Sequence, residues 1–164
     1  MSLARATHRL SLAALFVALA ACNNEGLPWK AGDKPPALAG VTLGASREAM
    51  LALLGTPSKV DTLGRDENAA VGMRFASKGV AVVSTARQGV AIVYVTTRDG
   101  GDIGGVKVGD KRADVIKKWG EPTRNGPTKA LWVVGGWVVL IETAPAPADS
   151  ITRIGVGFGS TSGG

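Results

Sequence analysis

An internal repeat with a period of 65 residues is the feature that most limits how this chain can fold. Residues 41–44 (Val-Thr-Leu-Gly) recur as residues 106–109 (Val-Lys-Val-Gly). The same offset aligns Arg47 with Arg112, Met50 with Val115, Leu51 with Ile116, Leu54 with Trp119, Gly55 with Gly120, Pro57 with Pro122 and Ser58 with Thr123. Self-similarity at a fixed spacing takes precedence over local propensity when a fold is predicted. The chain is therefore expected to hold two copies of one unit.

Each copy begins with a short predicted helix, in which the aligned apolar residues recur at the spacing that gathers one helical face. Ser46 and Asp110 are predicted to cap the two helices, because their side chains can accept hydrogen bonds from free backbone amides. Gly55 and Gly120 are predicted to end them in a left-handed conformation, each with a proline two positions later. Helices of this length do not persist alone in water, so each needs a sheet to pack against.

Short runs rich in β-branched residues follow each predicted helix. They are residues 70–75, 80–85 and 90–97 in the first copy and residues 129–134, 137–143 and 150–158 in the second. Gly135-Gly136 predicts a two-residue hairpin turn, which sets Lys129 opposite Glu142 and Val134 opposite Trp137. The predicted fold class is therefore α+β: two tandem units, each a short helix packed on a three-stranded or larger antiparallel β-meander.

Residues 1–21 have the composition of a bacterial export signal. Arg5 and Arg9 precede an apolar run over residues 10–18, which is too short to span a bilayer as a helix. The run closes on Leu19, Ala20 and Ala21, followed by the only cysteine, Cys22. This ending resembles the lipobox of bacterial lipoproteins, in which the signal is removed and the cysteine carries the acyl chains. An ordinary signal peptide followed by a chance cysteine is the alternative.

Removal of the signal also limits the chemistry of the mature chain. His8 is the only histidine, and acylation of Cys22 leaves no free thiol. Nucleophiles that depend on an imidazole base, and metal sites built on His or Cys, are then excluded. We expect no cofactor, no metal and no small-molecule substrate, and catalysis is disfavoured.

The charge of the mature chain is positive but dispersed. Nineteen basic residues, less the two arginines of the signal, stand against 13 acidic residues, which leaves a net charge of +4. Because no concentrated basic stripe is present, we expect no nucleic-acid partner.

The remaining boundaries follow from composition. Residues 22–40 are rich in proline and glycine and predict a flexible tether, in which Trp29 is a candidate for contact with lipid headgroups. The first repeat unit spans residues 41–98, a Gly- and Asp-rich linker residues 99–105, and the second unit residues 106–159. Residues 160–164 are predicted to be a disordered tail.

One motif in the first copy carries a family resemblance. The first copy resembles the SmpA/OmlA family of small outer-membrane lipoproteins in the spacing of Gly44, Ser46, Met50, Gly55 and Pro57 and in the meander that follows them. The tandem arrangement is also similar to the fold of the β-lactamase inhibitor protein. The resemblance implies a lipid-anchored binding or scaffolding protein of the bacterial outer membrane, facing the periplasm and serving outer-membrane assembly or maintenance. A periplasmic protein inhibitor of a hydrolase is the alternative.

An envelope protein is the expected partner, and one side of the second meander is the candidate surface for it. Trp132, Trp137 and Ile141 share one side of the predicted hairpin, while the other side is also apolar. A single short helix can cover only one of the two sides. Aromatic side chains are enriched in binding hot spots, which makes this face the candidate partner surface. Burial between the two units is the alternative.

Overall fold

Two α-helices and eight β-strands form the fold in the computed structural model, which describes residues 26–64 and 69–159. The helices are α1 (Arg47–Leu54) and α2 (Arg112–Trp119). The strands are β1 (Lys59–Leu63), β2 (Ala70–Phe75), β3 (Val80–Thr85), β4 (Gly89–Val95), β5 (Arg124–Asn125), β6 (Lys129–Val134), β7 (Trp137–Thr143) and β8 (Ile151–Phe158). The predicted signal peptide, Cys22 and the predicted tail lie outside the described residues.

All eight strands belong to one antiparallel sheet, in the order β1-β2-β3-β4-β8-β7-β6-β5. Strands β1 to β4 form one meander and β5 to β8 another, and the two meet where β4 pairs with β8, with Tyr94 opposite Gly155. The predicted fold class is therefore wrong, because the protein is mostly β and the two meanders do not form separate helix-covered units. Pairing β4 with β8 satisfies backbone groups that two separate sheets would leave at exposed edges.

Most strands follow the runs of β-branched residues in the sequence. Strands β2, β3, β6 and β7 have the predicted bounds, and β4 and β8 differ from the prediction by one or two residues. The hairpin register is also confirmed, with Lys129 opposite Glu142 and Val134 opposite Trp137. The edge strands β1 and β5 were not predicted, since β1 is exposed throughout and β5 has only two residues.

The two helices end in the same way. Gly55 and Gly120 have φ values of 84° and 80°, so the predicted positive φ is confirmed at both positions. Their ψ values of −152° and −179° place them in an extended region rather than the left-handed helical one. At the other end of α1, the Ser46 hydroxyl accepts a hydrogen bond from the Ala49 amide at 3.1 Å, as predicted.

Asp110 does not cap α2, contrary to the prediction. Its carboxylate accepts a hydrogen bond from the Lys107 amide at 2.9 Å and contacts the Arg98 guanidinium at 3.0 Å. The hydrogen bond from the Lys107 amide lowers the pKa of Asp110, and Arg98 adds to the effect. The Arg112 amide in the first turn of α2 instead donates to the Asp149 carbonyl at 3.1 Å. Asp110 therefore secures the turn before the helix.

The hydrophobic core lies between the two helices and one face of the sheet, hereafter the covered face. Met50 and Leu54 of α1 and Val115 and Trp119 of α2 are buried there. Strands β2, β3, β4, β6, β7 and β8 contribute Met73, Phe75, Val80, Val82, Val90, Val93, Val95, Ala130, Trp132, Val134, Trp137, Val139, Ile141, Ile151, Ile154 and Val156.

Residues 26–41, hereafter the N-terminal strap, also lie on the covered face. Leu38 is fully buried, and Trp29 packs edge-on against Trp119 and Trp137, with ring centroids 5.6 Å apart in both pairs. The described part of the predicted tether is thus packed on the domain. Trp29 is partly buried in this aromatic cluster, since large rings that pack together bury much apolar surface.

Candidate functional site

The predicted partner surface belongs to the core. Trp132 and Ile141 have no exposed surface, and Trp137 is 4% exposed. The Trp132 indole N–H donates to the Gly120 carbonyl at 3.1 Å, and that of Trp137 donates to the Asp33 carbonyl at 3.0 Å. The prediction is corrected for a physical reason: both helices and the N-terminal strap pack on this one side of the sheet. A partner surface has to be sought on the other side.

The opposite side of the sheet, hereafter the open face, is partly exposed in the described residues. Directly opposed residues in antiparallel strands share a face, so the strand register identifies its members. One row crosses six strands as Gly72, Val83, Ile92, Gly157, Val138 and Val133, and a second as Arg74, Ala81, Tyr94, Gly155, Leu140 and Leu131. The side chains alternate with the core residues, and Val133 is the most exposed aliphatic side chain of these two rows at 42%. The open face thus carries an apolar band across both meanders.

Two glycines of β8 shape the centre of this band. A Cβ atom at Gly155 would collide with the ring of Tyr94, and one at Gly157 would lie 3.3 Å from the Ile92 side chain. The Tyr94 ring therefore packs directly against the backbone of Gly155. The guanidinium carbon of Arg153 is 5.5 Å from the centre of this ring, within reach of a cation–π interaction.

Burial raises the pKa of the Tyr94 phenol, and the nearby charge of Glu142 raises it further. The phenol therefore stays neutral at physiological pH, since its ordinary pKa is already about 10. A neutral phenol can both donate and accept a hydrogen bond to an arriving partner.

Charged side chains surround the apolar band. Glu142 contacts Lys129 at 3.0 Å and Arg153 at 3.1 Å. By register, the charged members of the open face are Lys59, Asp61, Arg74, Arg124, Lys129, Glu142 and Arg153. Five basic against two acidic groups leave this face with a net charge of +3. Exposed ion pairs contribute little to stability, so these groups mainly determine the electrostatic character of the surface.

A shallow cleft lies at one end of the open face. It has a volume of about 360 Å³, and its lining includes Arg74, Ala81, Thr96 and Arg153. The Thr96 hydroxyl donates to the Gly79 carbonyl at 3.1 Å. Arg74 and Arg153 both line this cleft, Arg153 also being paired with Glu142, and the positive charge there favours an anionic group from a partner.

The described residues offer no metal site. Within residues 26–64 and 69–159, no group of three or more His, Cys, Asp or Glu side chains is placed to hold a metal ion. No helix in this part of the chain is long and apolar enough to cross a membrane.

Comparisons with known proteins reveal the fold but no family. No family model and no curated protein matches the sequence. A cysteine-rich secretory protein from Staphylococcus aureus is similar in structure, with a TM-score of 0.59 at 15% identity. An extracellular protein containing an SCP domain from Bacillus anthracis has a TM-score of 0.56 at 14% identity. Both matches cover 79% of this chain but 47% and 49% of those proteins, so this chain spans about half their length.

A proposed β-lactamase inhibitor protein from Streptococcus mutans is a more distant structural neighbour. Its TM-score is 0.32 at 13% identity, over 60% of this chain and 64% of that one. This likeness is too low to support the inhibitor hypothesis. The resemblance to SmpA/OmlA lipoproteins likewise has no matching family model behind it.

The sequence predicts an apolar second side for the β6–β7 hairpin, but not an open face that spans both meanders, because it does not show that β4 pairs with β8. Tyr94 and Arg153 lie 59 positions apart, and only the pairing of β4 with β8 brings them together. One signal was present in the sequence. Gly155 and Gly157 occupy alternate positions of a strand, which marks one side of that strand for close approach by a neighbouring side chain.

Proposed function

We propose that this chain is an exported, lipid-anchored binding protein of the bacterial envelope, and that its open face receives a partner protein. The observation that carries the proposal is the asymmetry of the sheet. One face is closed by α1, α2 and the N-terminal strap, whereas the other holds a continuous apolar band with a positive rim. Monomeric proteins rarely expose contiguous apolar surface of this kind unless it serves an interaction.

The chemistry of the open face suggests an acidic protein surface with apolar residues at its centre. Val83, Ile92, Val133 and Leu140 supply aliphatic contact area around Tyr94. The net charge of +3 would attract acidic side chains, and the cleft between Arg74 and Arg153 would receive one of their carboxylates. Complementary charge speeds association and selects among partners more than it adds affinity.

Two observations support export and anchoring. The order of residues in the N-terminal 21 positions is that of a secretory signal, and it ends in Leu-Ala-Ala-Cys at residues 19–22. The S. aureus and B. anthracis structural neighbours are described as secretory and extracellular proteins. Attachment to the outer membrane on its periplasmic side belongs to the same proposal, with Asn23 after Cys22 as its motivation. The proposal assigns no catalytic role and no cofactor.

The anchor is tested by replacing Cys22 with serine in the full chain, expressed in a bacterial host. The wild-type protein should fractionate with membranes and carry acyl mass on Cys22, because two or more acyl chains hold a protein firmly on a bilayer. Cys22→Ser should appear in the soluble periplasmic fraction, while the neighbouring control Asn24→Ser stays on membranes. A Cys22→Ser protein that is cleaved normally and stays membrane-bound would refute the anchor.

A further inference from the structure

We propose that the covered side of the domain, at the C-terminal end of α2, rests against the lipid headgroups, so that the open face points away from the bilayer. This inference rests on the proposed anchor at Cys22 and deepens it by assigning an orientation. In this orientation the covered side of the domain faces the bilayer, and the open face is free to bind the partner protein.

The N-terminal strap is closely packed where it meets α2. A Cβ atom on Gly26 would lie 2.7 Å from the Lys118 carbonyl oxygen and 2.8 Å from the Trp119 carbonyl carbon. Two residues later, Pro28 and Trp29 lie over Gly104, where a Cβ atom would come within 2.8 Å of the proline ring. The chain therefore joins the domain at the C-terminal end of α2, on the covered side of the sheet.

Little chain is left between this point and the anchor. Only residues 23–25 separate Cys22 from Gly26, so four Cα–Cα steps span at most about 14 Å. A flexible tether over residues 22–40 would have allowed a much larger distance between the domain and the bilayer, but the residues from Gly26 onward are packed on the domain as part of the strap. Proximity of the domain to the headgroups follows from this short length alone.

The short connection also selects the side that faces the lipid. Gly26 lies against the last residues of α2, and Trp29, three residues later, packs on Trp137, so the strap runs along the covered face and the sheet separates it from the open face. To place the open face on the bilayer, the connection would have to pass around the edge of the sheet, and its reach of about 14 Å favours the shorter path to the covered side. The α2 side is therefore the one that contacts the headgroups.

The surface around the C-terminal end of α2 carries a small positive charge, which is not what sets this orientation. Lys30, Lys34, Lys117 and Lys118 are exposed in the strap and the last turn of α2. Asp33 in the strap and Glu121 directly after α2 oppose them, which leaves four basic against two acidic groups, a net charge of +2. The orientation should be the same on neutral and on anionic vesicles, since the short connection enforces it even where electrostatic attraction is absent.

A cysteine-labelling experiment tests the orientation. Cys22 is the only natural cysteine and is proposed to be acylated, so a single introduced cysteine is the one free thiol. Lys118→Cys reports the α2 side, and Val133→Cys, at a position 42% exposed in the native chain, reports the open face. The full-length lipoproteins are added to preformed phosphatidylcholine vesicles, with or without phosphatidylglycerol, and treated with a maleimide carrying a bulky polyethylene glycol chain.

We expect Lys118→Cys to react several-fold more slowly on vesicles than in detergent, and Val133→Cys to react equally fast in both. Inserting a ten-residue Gly/Ser spacer after Glu25 should restore the rate at position 118. Equal rates at both positions on vesicles, or slower reaction at position 133, would overturn the orientation. Failure of the wild-type protein to float with the vesicles would instead refute the anchor itself, and the orientation with it.

Discussion

A single buried arginine organises the loop between β5 and β6. Arg112 is 8% exposed and has no carboxylate partner among the described residues. Its guanidinium donates to the carbonyl oxygens of Gly126 at 2.6 Å and Pro127 at 3.1 Å, and to the side chain of Asn125. The planar guanidinium holds several N–H donors in fixed directions and can bind several acceptors at once, whereas the single ammonium group of a lysine could not reach all of them.

Replacing Arg112 with alanine should therefore lower the free energy of unfolding by about 2 kcal/mol, because partly buried carbonyl groups lose charged hydrogen-bond donors. Arg47 provides a matched control, since it is the equivalent residue in the first repeat and is exposed. Arg47→Ala should change stability by less than about 0.5 kcal/mol. Urea unfolding followed by tryptophan fluorescence measures both, and equal losses in the two variants would contradict the role given to Arg112.

The repeat correctly predicts that Arg47 and Arg112 occupy equivalent positions, but it does not predict that their surroundings differ. Arg47 and Arg112 occupy the first position of α1 and α2, as the period of 65 residues requires. Only Arg112 is enclosed, because the loop at residues 125–129 folds over it and the first copy places no such loop on Arg47. The burial of Arg112 depends on a loop outside the repeated motif, so the repeat alone does not predict it.

At the scale of secondary structure elements, the helix ends provide the clearest prediction. Gly55 and Gly120 have positive φ, and a Cβ atom at either position would meet no atom within 4 Å. The cost of a side chain there is thus a backbone cost alone. Gly55→Val and Gly120→Val should each destabilise the protein by about 1–3 kcal/mol, since positive φ with extended ψ is a region that essentially only glycine adopts.

Gly136→Val is a suitable control for these variants. A Cβ atom there also meets nothing within 4 Å, but φ is not positive, so the backbone cost is absent. The free energy of unfolding from urea titration should rank Gly136→Val close to the wild type and the other two below it. Losses under about 0.5 kcal/mol at both helix ends would contradict the conformational requirement.

Asp110 gives the turn before α2 a predictable dependence on pH. Since its pKa is lowered in the folded state, the carboxylate stabilises the fold above its unfolded pKa of about 4, and this contribution is lost as the pH falls through the folded-state pKa. Asp110→Asn lacks the titrating group. The stability difference between wild type and variant should be present at neutral pH and shrink below about pH 4. A difference that stays constant across this range would argue against the carboxylate.

Local sequence patterns predicted local structure well at this scale. Runs of β-branched residues identified six of the eight strands, and the Gly135-Gly136 turn predicted the register of β6 and β7. Asp110 misled the prediction because an aspartate close to a helix start can hydrogen-bond to the preceding turn instead of the helix. The sequence does not predict β1, because all of its residues are exposed and it therefore lacks the alternation of apolar and polar residues that marks a half-buried strand.

For the whole molecule, the pairing of β4 with β8 decides both the fold and the site. It merges two meanders into one sheet, so that the helices and the strap all lie on one side and a single open face remains on the other. The sequence could not predict this pairing, because the repeat identifies two similar units but does not show which strands of the two units lie side by side. The choice of Trp132, Trp137 and Ile141 as a partner surface failed for the same reason, since burial depends on which face the helices cover.

The central claim is that the open face receives a partner protein, and site-specific photocrosslinking in living cells tests it most directly. A photoreactive amino acid is introduced at Val133 on the open face or at Lys117 on the α2 side, both exposed positions. We predict one discrete protein adduct from position 133, none from position 117, and a weaker adduct from position 133 when Arg74 and Arg124 are changed to glutamate. An adduct from position 117 but not from position 133, or no protein adduct from either, would contradict the account.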